Sequence, residues 1–352
     1  MTKPQIRKYR PGDESKINDM YNSVFGTDRS LETWHWKYNL SPRGDIKLIY
    51  VMEDDGQIVG QYANLPLDVI YKGQMILGAE PVDISIEEGF RGKKLVVPLF
   101  ATQPPLARAE GIRFGFGFPN EAHYPVGREV LGYKDVGDVL LMRAYLNPLL
   151  ILAKLVRNPK ILDLLRPLSK WLSRFLYRRR WKESQEDGTL EQVTSFDERF
   201  DRFWERMIGR YPIMVARHRR YLNWRYVQRP DVEYSTFTAI RDGELQGFVV
   251  LSVQHRFVRQ GLVADLLAVD EKTMEILMKQ AMRYFLAKGV DMVSSWNWAQ
   301  TEFLRVVENL GFRRRRVAAP LVCMIFDDQL IDESFITDPQ NWYVTLGDSD
   351  GV

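Results

Sequence analysis

The chain has 352 residues, of which 45% are hydrophobic and 27% charged, and its formal net charge is +3. A chain of this length and composition is typical of a globular protein of about two domains, with disorder expected only in the residues after Trp342. The lone Cys323 excludes a disulfide framework and a cysteine-rich metal site, and the histidines lack a zinc-type spacing. Without a signal peptide or a membrane-spanning apolar run, the protein is expected to be cytoplasmic and free of metal.

The first half of the chain predicts alternating strands and helices. Hydrophobic periodicity and turn residues indicate a strand at 5–9, helices at 13–25 and before Pro42, strands at 46–53, 57–71 and 75–86, a helix at 95–111, a strand at 114–118, a helix at 124–131 and a strand at 133–145.

The second half predicts the same kinds of element in the same order. They are helices at 196–209 and 218–226, strands at 234–240, 245–253 and 261–269, a helix at 272–288, a strand at 291–296, a helix at 301–310 and a strand around 321–326. Strands interleaved with helices make the fold class α/β or α+β, with mixed sheets.

An internal repeat explains why the two halves match. Three segments recur at nearly constant spacing: Trp36-Lys37-Tyr38 with Trp224-Arg225-Tyr226, Asp83 with Asp265, and Leu131-Gly132-Tyr133 with Leu310-Gly311-Phe312. Self-similarity of this kind predicts two copies of one domain in tandem. The copies are expected at 1–147 and 190–330, separated by an insertion at 148–189 and followed by a C-terminal tail at 331–352.

The insertion is strongly basic. Between Pro148 and Lys182 there are ten Lys and Arg residues and one Asp, interleaved with Leu, Trp and Phe, so this segment alone makes the chain basic. The pattern predicts one or two amphipathic helices. Three interpretations remain open: a solvated helical hairpin, contact with an anionic membrane surface, or, less favoured for want of any further motif, contact with nucleic acid.

The segment after the strand at 75–86 is the best candidate for chemistry. It reads Ile84-Ser85-Ile86-Glu87-Glu88-Gly89-Phe90-Arg91-Gly92-Lys93-Lys94-Leu95 and leads from a strand into a helix. The free N–H groups and positive end of a helix N-terminus suit a diphosphate, to which the basic residues would add charge. An exposed basic turn without a ligand is the competing interpretation.

The order of elements and this segment resemble the GNAT superfamily of acyl-CoA-dependent N-acyltransferases. A later Asn120, followed by a helix that ends at Gly132-Tyr133, resembles the second motif of that family. The resemblance implies that acetyl-CoA or another acyl-CoA is the co-substrate. It assigns the pantetheine arm to the backbone of Ile84, Ser85 and Ile86, and the diphosphate and remaining contacts to Arg91, Gly92, Lys93, Lys94, Leu95, Val96 and Asn120.

Two departures from the family concern the turn and the catalytic acid. Lys94 and Val96 stand where the family has small residues. Arg128 stands where many members have a tyrosine whose hydroxyl is the general acid for the leaving thiolate. Tyr124, one helical turn earlier, is the alternative acid. The candidate acid is therefore Tyr124. The candidate bases are Asp83, Glu121 and His123, and Glu80 lies near them in sequence. Asp83 also has a structural explanation, because Asp265 takes its place in the second copy.

The second copy has Val269-Asp270-Glu271 in place of the basic turn, so we expect no coenzyme A there. Trp224, Trp296 and Trp298 are candidates for a wall of the acceptor pocket, or for core residues. The resemblance implies an N-acyltransferase that moves an acetyl or other acyl group to a primary amine by direct transfer in a ternary complex. The alternatives are a Fem-like aminoacyltransferase for cell-wall precursors and a non-catalytic binding module; the oligomeric state is not predicted.

Overall fold

The computed structural model describes residues 4–147, 189–255, 258–298 and 301–351. These residues form two compact units, each made of several chain segments. Unit 1 comprises Met1–Gly137, Ile208–Asp231 and Ala319–Tyr343, and unit 2 comprises Asp138–Met207, Val232–Ala318 and Val344–Val352. The basic insertion predicted at 148–189 lies almost wholly outside the described residues.

The strands and helices follow one another along the chain much as predicted. The strands are β1 (Gln5–Lys8), β2 (Leu48–Asp54), β3 (Gln57–Tyr71), β4 (Gln74–Ile86), β5 (Phe114–Gly117), β6 (Lys134–Tyr145), β7 (Thr189–Val193), β8 (Ile213–Val215), β9 (Tyr234–Arg241), β10 (Glu244–His255), β11 (Arg259–Ala268), β12 (Met292–Trp298) and β13 (Arg313–Ile325). The helices are α1 (Glu14–Phe25), α2 (Leu31–Tyr38), α3 (Lys93–Ala101), α4 (Gln103–Ala109), α5 (His123–Val126), α6 (Glu198–Met207), α7 (Arg219–Tyr226), α8 (Glu271–Ala287), α9 (Glu302–Asn309) and α10 (Glu333–Ile336).

Unit 1 is a mixed sheet with helices packed on it. Its strand order is β1-β2-β3-β4-β5-β13, with the short β8 beside β3. The pairs are antiparallel except β4 with β5, which is parallel. Helices α3 and α4 bury Leu99, Phe100 and Leu106 in one core cluster with Tyr62 and Ile86. This unit contains the whole of the basic turn and the residues that follow it up to Gly137.

Unit 1 also contains α7, the helix that repeats α2. The indole rings of Trp36 and Trp224 stack with their centroids 5.1 Å apart and their planes 14° apart. Each indole Nε1 donates to the other residue's carbonyl oxygen, at 2.7 Å from Trp36 and 2.9 Å from Trp224. The two helices are also capped at equivalent positions, by Ser30 and by His218. Equivalent residues of the repeat therefore make reciprocal contacts, as the two halves of a pseudo-twofold pair do.

Unit 2 repeats the mixed-sheet architecture. Its strand order is β6-β12-β11-β10-β9-β7, and the only parallel pair among its described strands is β11 with β12. Helix α8 packs on this sheet through Met274, Leu277, Met278 and Phe285, which are fully buried. A mixed α/β fold in both units confirms the predicted fold class.

Three features differ from the expectations. The helix predicted at 95–111 is divided into α3 and α4, because Pro104 and Pro105 lack the N–H groups that would continue the first helix. Strands β7 and β8 were not predicted. The residues after Trp342 are ordered rather than disordered: Thr345, Leu346 and Asp348 are buried, and the Thr345 hydroxyl donates to Asp265 Oδ1 at 3.0 Å.

The sequential domain boundaries at 147 and 190 stay predictions, although the units differ from them in assigning 208–231 to unit 1. In the described parts of the chain, no helix has both the length and the apolar character needed to cross a bilayer.

The reciprocal Trp36–Trp224 contact predicts coupled stability effects. Replacing either tryptophan by Phe removes one hydrogen bond and leaves a buried carbonyl unpaired, which costs about 1–3 kcal/mol. Because the two rings share one contact, the double variant should lose less than the sum of the single losses, by about 0.5 kcal/mol or more. Urea unfolding of the three variants measures this coupling, and strictly additive losses would contradict it.

Candidate cofactor and active site

The site begins where β4 and β5 separate. The two strands pair only at Gly78 with Phe114 and at Ala79 with Gly115. Two residues further on stand Pro81 and Gly117, where a Cβ added to Gly117 would lie 3.3 Å from the proline Cδ. Because proline has no N–H to donate, it cannot extend the ladder at this point. The edge of β4 beyond Pro81 is therefore left open toward β5.

A β-bulge redirects β4 just after this separation. The register with β3 shifts between Gln61–Ser85 and Ala63–Val82, so two residues of β4 oppose one of β3. Asp83 lies in the bulge with φ of 51°, a left-handed conformation that is strained for a residue other than glycine. Its carbonyl oxygen accepts hydrogen bonds from Gln61 Nε2 at 2.9 Å and from Ser85 Oγ at 3.2 Å. These bonds fix the direction of the segment Ile84–Ile86.

The Asp83 carboxylate holds the bulge against α2 and the chain before it. Its oxygens bind Lys37 Nζ at 2.8 Å, the Tyr38 hydroxyl at 2.9 Å and the Arg29 guanidinium, and its side chain is fully buried. Burial opposes ionisation, but the charges of Lys37 and Arg29 outweigh it and lower the pKa of Asp83 to about 2. A carboxylate with so low a pKa and no solvent access is a poor proton acceptor, so the geometry favours the structural explanation of Asp83.

The basic turn ends in an open helix N-terminus. Gly92 is the N-cap of α3 and has an extended backbone, and its carbonyl oxygen accepts from the N–H groups of Leu95 at 2.8 Å and Val96 at 2.9 Å. Lys93 and Lys94 are the first two residues of α3, and their N–H groups have no backbone acceptor in the described chain.

The space over this turn suits a ligand. A Cβ added at Gly92 would meet no atom within 4 Å, so the region above the N-cap is open. Arg91 is exposed, and its Nε donates to the carbonyl of Ile86 at 2.8 Å, which anchors the turn to the end of β4. Lys94 is also exposed, so its side chain leaves the backbone approachable. The residues present therefore fit a diphosphate at the end of α3, even though Lys94 and Val96 replace smaller residues.

The second copy closes the equivalent helix end. Helix α8 is capped by Asp270, whose side chain accepts from the N–H of Thr273 at 2.7 Å. The next residue, Glu271, pairs with Arg305 at 2.9 Å. Two carboxylates at this end would repel a phosphate, and one of them already occupies the N–H that a phosphate would need. This helix end therefore differs from the basic turn in charge and in hydrogen bonding, and the absence of coenzyme A from the second copy stays a prediction.

The predicted residues after β5 are used locally. Asn120 Oδ1 accepts from the N–H groups of His123 at 2.9 Å and Ala122 at 3.1 Å and so begins α5, while Glu121 is exposed. The Tyr124 hydroxyl donates to Asp135 Oδ1 at 2.6 Å, and Arg128 binds the same carboxylate. These bonds engage the hydroxyl that was predicted as the acid.

His123 lies deeper than its neighbours. Its Nε2 is 3.0 Å from the Tyr133 hydroxyl. The centroid of its ring lies 5.4 Å from that of Phe100, and the two rings are packed edge to face. Burial lowers the pKa of His123 to about 4, so the imidazole is neutral near pH 7. Tyr133 in turn packs against Gly127, where a Cβ would approach its ring to 2.2 Å. A residue with any side chain at position 127 would displace this tyrosine.

Glu80 is the remaining carboxyl candidate at the separation of the strands. It lies on β4 directly before Pro81, and it is 6% exposed. The sequence suggested Glu80 only by its proximity to Asp83. Sequence reasoning missed Arg29, Lys37, Gln61 and Pro81, which shape the site; only Lys37 had a signal, its place in the repeated Trp36-Lys37-Tyr38 segment.

Removal of the Asp83 charge is expected to destabilise unit 1 rather than only slow a reaction. In Asp83→Asn the buried cations of Arg29 and Lys37 lose their counter-charge, which costs about 3–5 kcal/mol. The folded pKa lies below the ordinary value of 3.8, so the carboxylate stabilises fully above pH 4 and progressively less as the pH falls toward 2. Unfolding measured against pH should show this loss in the native protein and not in Asp83→Asn. The exposed Asp135→Asn serves as the control, and equal stability of the two variants would contradict the prediction.

Comparison with known proteins agrees with this geometry. The family model described as an acetyltransferase (GNAT) domain matches residues 5–131. No curated protein matches the sequence.

Several solved structures share the fold over nearly the whole chain. A GCN5-related N-acetyltransferase from Anabaena variabilis ATCC 29413 has a TM-score of 0.64 and 13% identity, over 92% of this chain and 73% of that one. A conserved protein of unknown function from Enterococcus faecalis V583, titled a probable N-acyltransferase, has a TM-score of 0.68 and 12% identity, over 94% and 74%. Eis1 from Mycobacterium abscessus has a TM-score of 0.59 and 12% identity, over 95% and 76%. Residues 5–131 thus match the model of the acetyltransferase (GNAT) domain, the family that their motifs resemble, and the whole chain shares the fold of these structures.

Proposed function

We propose that the protein is an N-acyltransferase that moves an acetyl or other acyl group from acyl-CoA to a primary amine. The observation that carries this proposal is the open N-terminus of α3 next to the separation of β4 and β5, within a GNAT domain. The second copy, with its acidic helix cap, is proposed to be a partner domain that does not bind the cofactor. A tandem arrangement of two such copies is part of the same proposal.

The cofactor would be held by backbone more than by side chains. The open edge of β4 at Ile84, Ser85 and Ile86 offers N–H and C=O groups to the amides of pantetheine. The N–H groups of Lys93 and Lys94, with the charge of Arg91, would hold the diphosphate at the helix end. Acyl-CoA supplies the activated thioester. The bulge at Asp83 then sets where the thioester carbonyl meets the backbone N–H groups that polarise it.

Transfer requires a base, because a primary amine is an ammonium ion near pH 7 and must lose a proton before its nitrogen can attack. The amine nitrogen bonds to the acyl carbon, the carbon–sulfur bond breaks, and the ammonium proton passes to a protein group. We assign this role to Glu80, because Asp83 is committed to Arg29 and Lys37. The leaving thiolate takes its proton from solvent in this scheme, since the Tyr124 hydroxyl is engaged by Asp135. Direct transfer in a ternary complex needs no covalent intermediate on the protein.

Calorimetry with acetyl-CoA tests the cofactor site. Lys94→Glu places a negative charge where the diphosphate would lie and should raise the Kd by about ten-fold or more, because charge-assisted hydrogen bonds contribute about 1.5–3 kcal/mol. Lys8→Glu makes the same charge change at an exposed residue of unit 1 outside the turn and should bind normally. An unchanged Kd in Lys94→Glu would show that the phosphates of acetyl-CoA do not bind at this turn. If no acyl-CoA binds, the Fem-like and non-catalytic alternatives are favoured.

Glu80→Gln separates catalysis from binding. With a reactive amine found by a thiol-release screen, this variant should lower kcat by about 10²–10⁴-fold, the range typical of a lost general base, and leave the Kd for acetyl-CoA unchanged. The kcat of this variant should also lose the part of its pH dependence that comes from protonation of the base at low pH. A kcat close to that of the native protein would rule out Glu80 as the base, and a folded variant that no longer binds acetyl-CoA would assign it a structural role.

A further inference from the structure

A cluster of arginines for which the described chain shows no carboxylate partner lies in unit 2. Arg313, Arg314, Arg315 and Arg316 are consecutive, and all four side chains are exposed at the start of β13. In the described chain none of them forms an ion pair, and Arg313 donates only to backbone carbonyls, including that of Phe312 at 3.1 Å. Four positive charges thus follow one another without local neutralisation.

A fifth arginine, from another strand, belongs to the same region. The Arg315 guanidinium lies 4.7 Å from the centre of the Tyr145 ring near the end of β6. Arg143 stands two residues before Tyr145 on that strand, so the two side chains leave the same face. Arg143 is half-buried, and its Nε is buried without a hydrogen-bond acceptor in the described chain. Arg313 and Arg315 share one face of β13, so Arg143, Arg313 and Arg315 are together called the arginine cluster below.

The charges of the cluster repel one another. Residues 313 to 316 span about 10 Å of strand, which is close to the screening length of about 8 Å at physiological salt. The repulsion is relieved when an anion lies against the cluster. Successive side chains of a strand point to opposite faces, so Arg314 and Arg316 leave the other face, while Arg313 and Arg315 stand about 7 Å apart on the face of Arg143 and Tyr145. Guanidinium groups spread in this way do not converge on one small anion. The fitting partner is therefore an extended anionic surface that lies against this face.

We propose that the arginine cluster docks the protein on a bilayer that contains acidic phospholipids. Guanidinium groups bind phosphate in two-point contacts, and basic residues gather at acidic lipid surfaces. The sequence favours lipid over nucleic acid, because the chain that follows β6, at 148–182, interleaves basic residues with Leu, Trp and Phe. That segment lies outside the described residues and is not part of the cluster. The predicted peripheral membrane contact through 148–182 remains a separate proposal.

Vesicle sedimentation of the full chain tests the proposal. Native protein should bind vesicles of phosphatidylcholine with phosphatidylserine, release them in high salt, and ignore phosphatidylcholine alone. The variant Arg313→Gln/Arg315→Gln should bind about 30-fold more weakly, since each basic residue near an acidic bilayer contributes about five-fold. Both side chains are exposed, and a melting curve verifies the fold.

The matched control is Lys8→Gln/Arg220→Gln, which removes two exposed charges from unit 1 and should bind as the native protein does. Failure of native protein to bind acidic vesicles, or equal losses in both variants, would overturn the proposal. So would a cluster variant that keeps vesicle binding and loses binding to single-stranded RNA. None of these results depends on acyl transfer, so the proposed function stands or falls separately.

Discussion

The buried contact of Asp83 with Arg29 and Lys37 is the constraint on which the cofactor site depends. A carboxylate placed out of water is tolerated only with opposite charges at hydrogen-bond distance, and here two cations and a phenol hydroxyl surround it. The same residue holds a left-handed backbone conformation that would otherwise be strained. The ion pairs therefore hold the bulge in place, and the bulge directs Ile84–Ile86 toward the gap between β4 and β5.

The repeated segments differ in how well their contacts match. Trp36 and Trp224 keep reciprocal hydrogen bonds across the repeat, and Ser30 and His218 cap equivalent helices. The helix ends that follow the two candidate turns differ. Gly92 leaves two N–H groups of α3 open, whereas the Asp270 carboxylate occupies and opposes the corresponding end of α8. The matching tryptophan contact is buried, whereas the two differing helix ends reach solvent.

Much of the fold could be predicted because its signals are local. Strand β3 has the predicted bounds, since alternating apolar residues and the turns at Gly56 and Gly73 define it from nearby sequence alone. The transfer of residues 208–231 to unit 1, the pairing of β8 with β3, and the burial of Thr345 against Asp265 could not be predicted in this way. Each depends on partners far along the chain. In the site, the turn was visible as a motif, but the partners of Asp83 were not, because Arg29 is distant and has no pattern of its own.

The assignment of the base follows from environment rather than residue type. Glu80 and Asp83 are carboxylates on one strand, three positions apart, and both are near the candidate site in sequence. Useful proton transfer requires a pKa near the working pH, and two adjacent cations hold that of Asp83 near 2. The charges of Arg29 and Lys37, which hold the bulge in place through Asp83, thus also make Asp83 a weak base. A site that needs both a fixed strand and a proton acceptor has to divide these tasks between two side chains, which is why we propose Glu80, on β4 directly before Pro81, for the second.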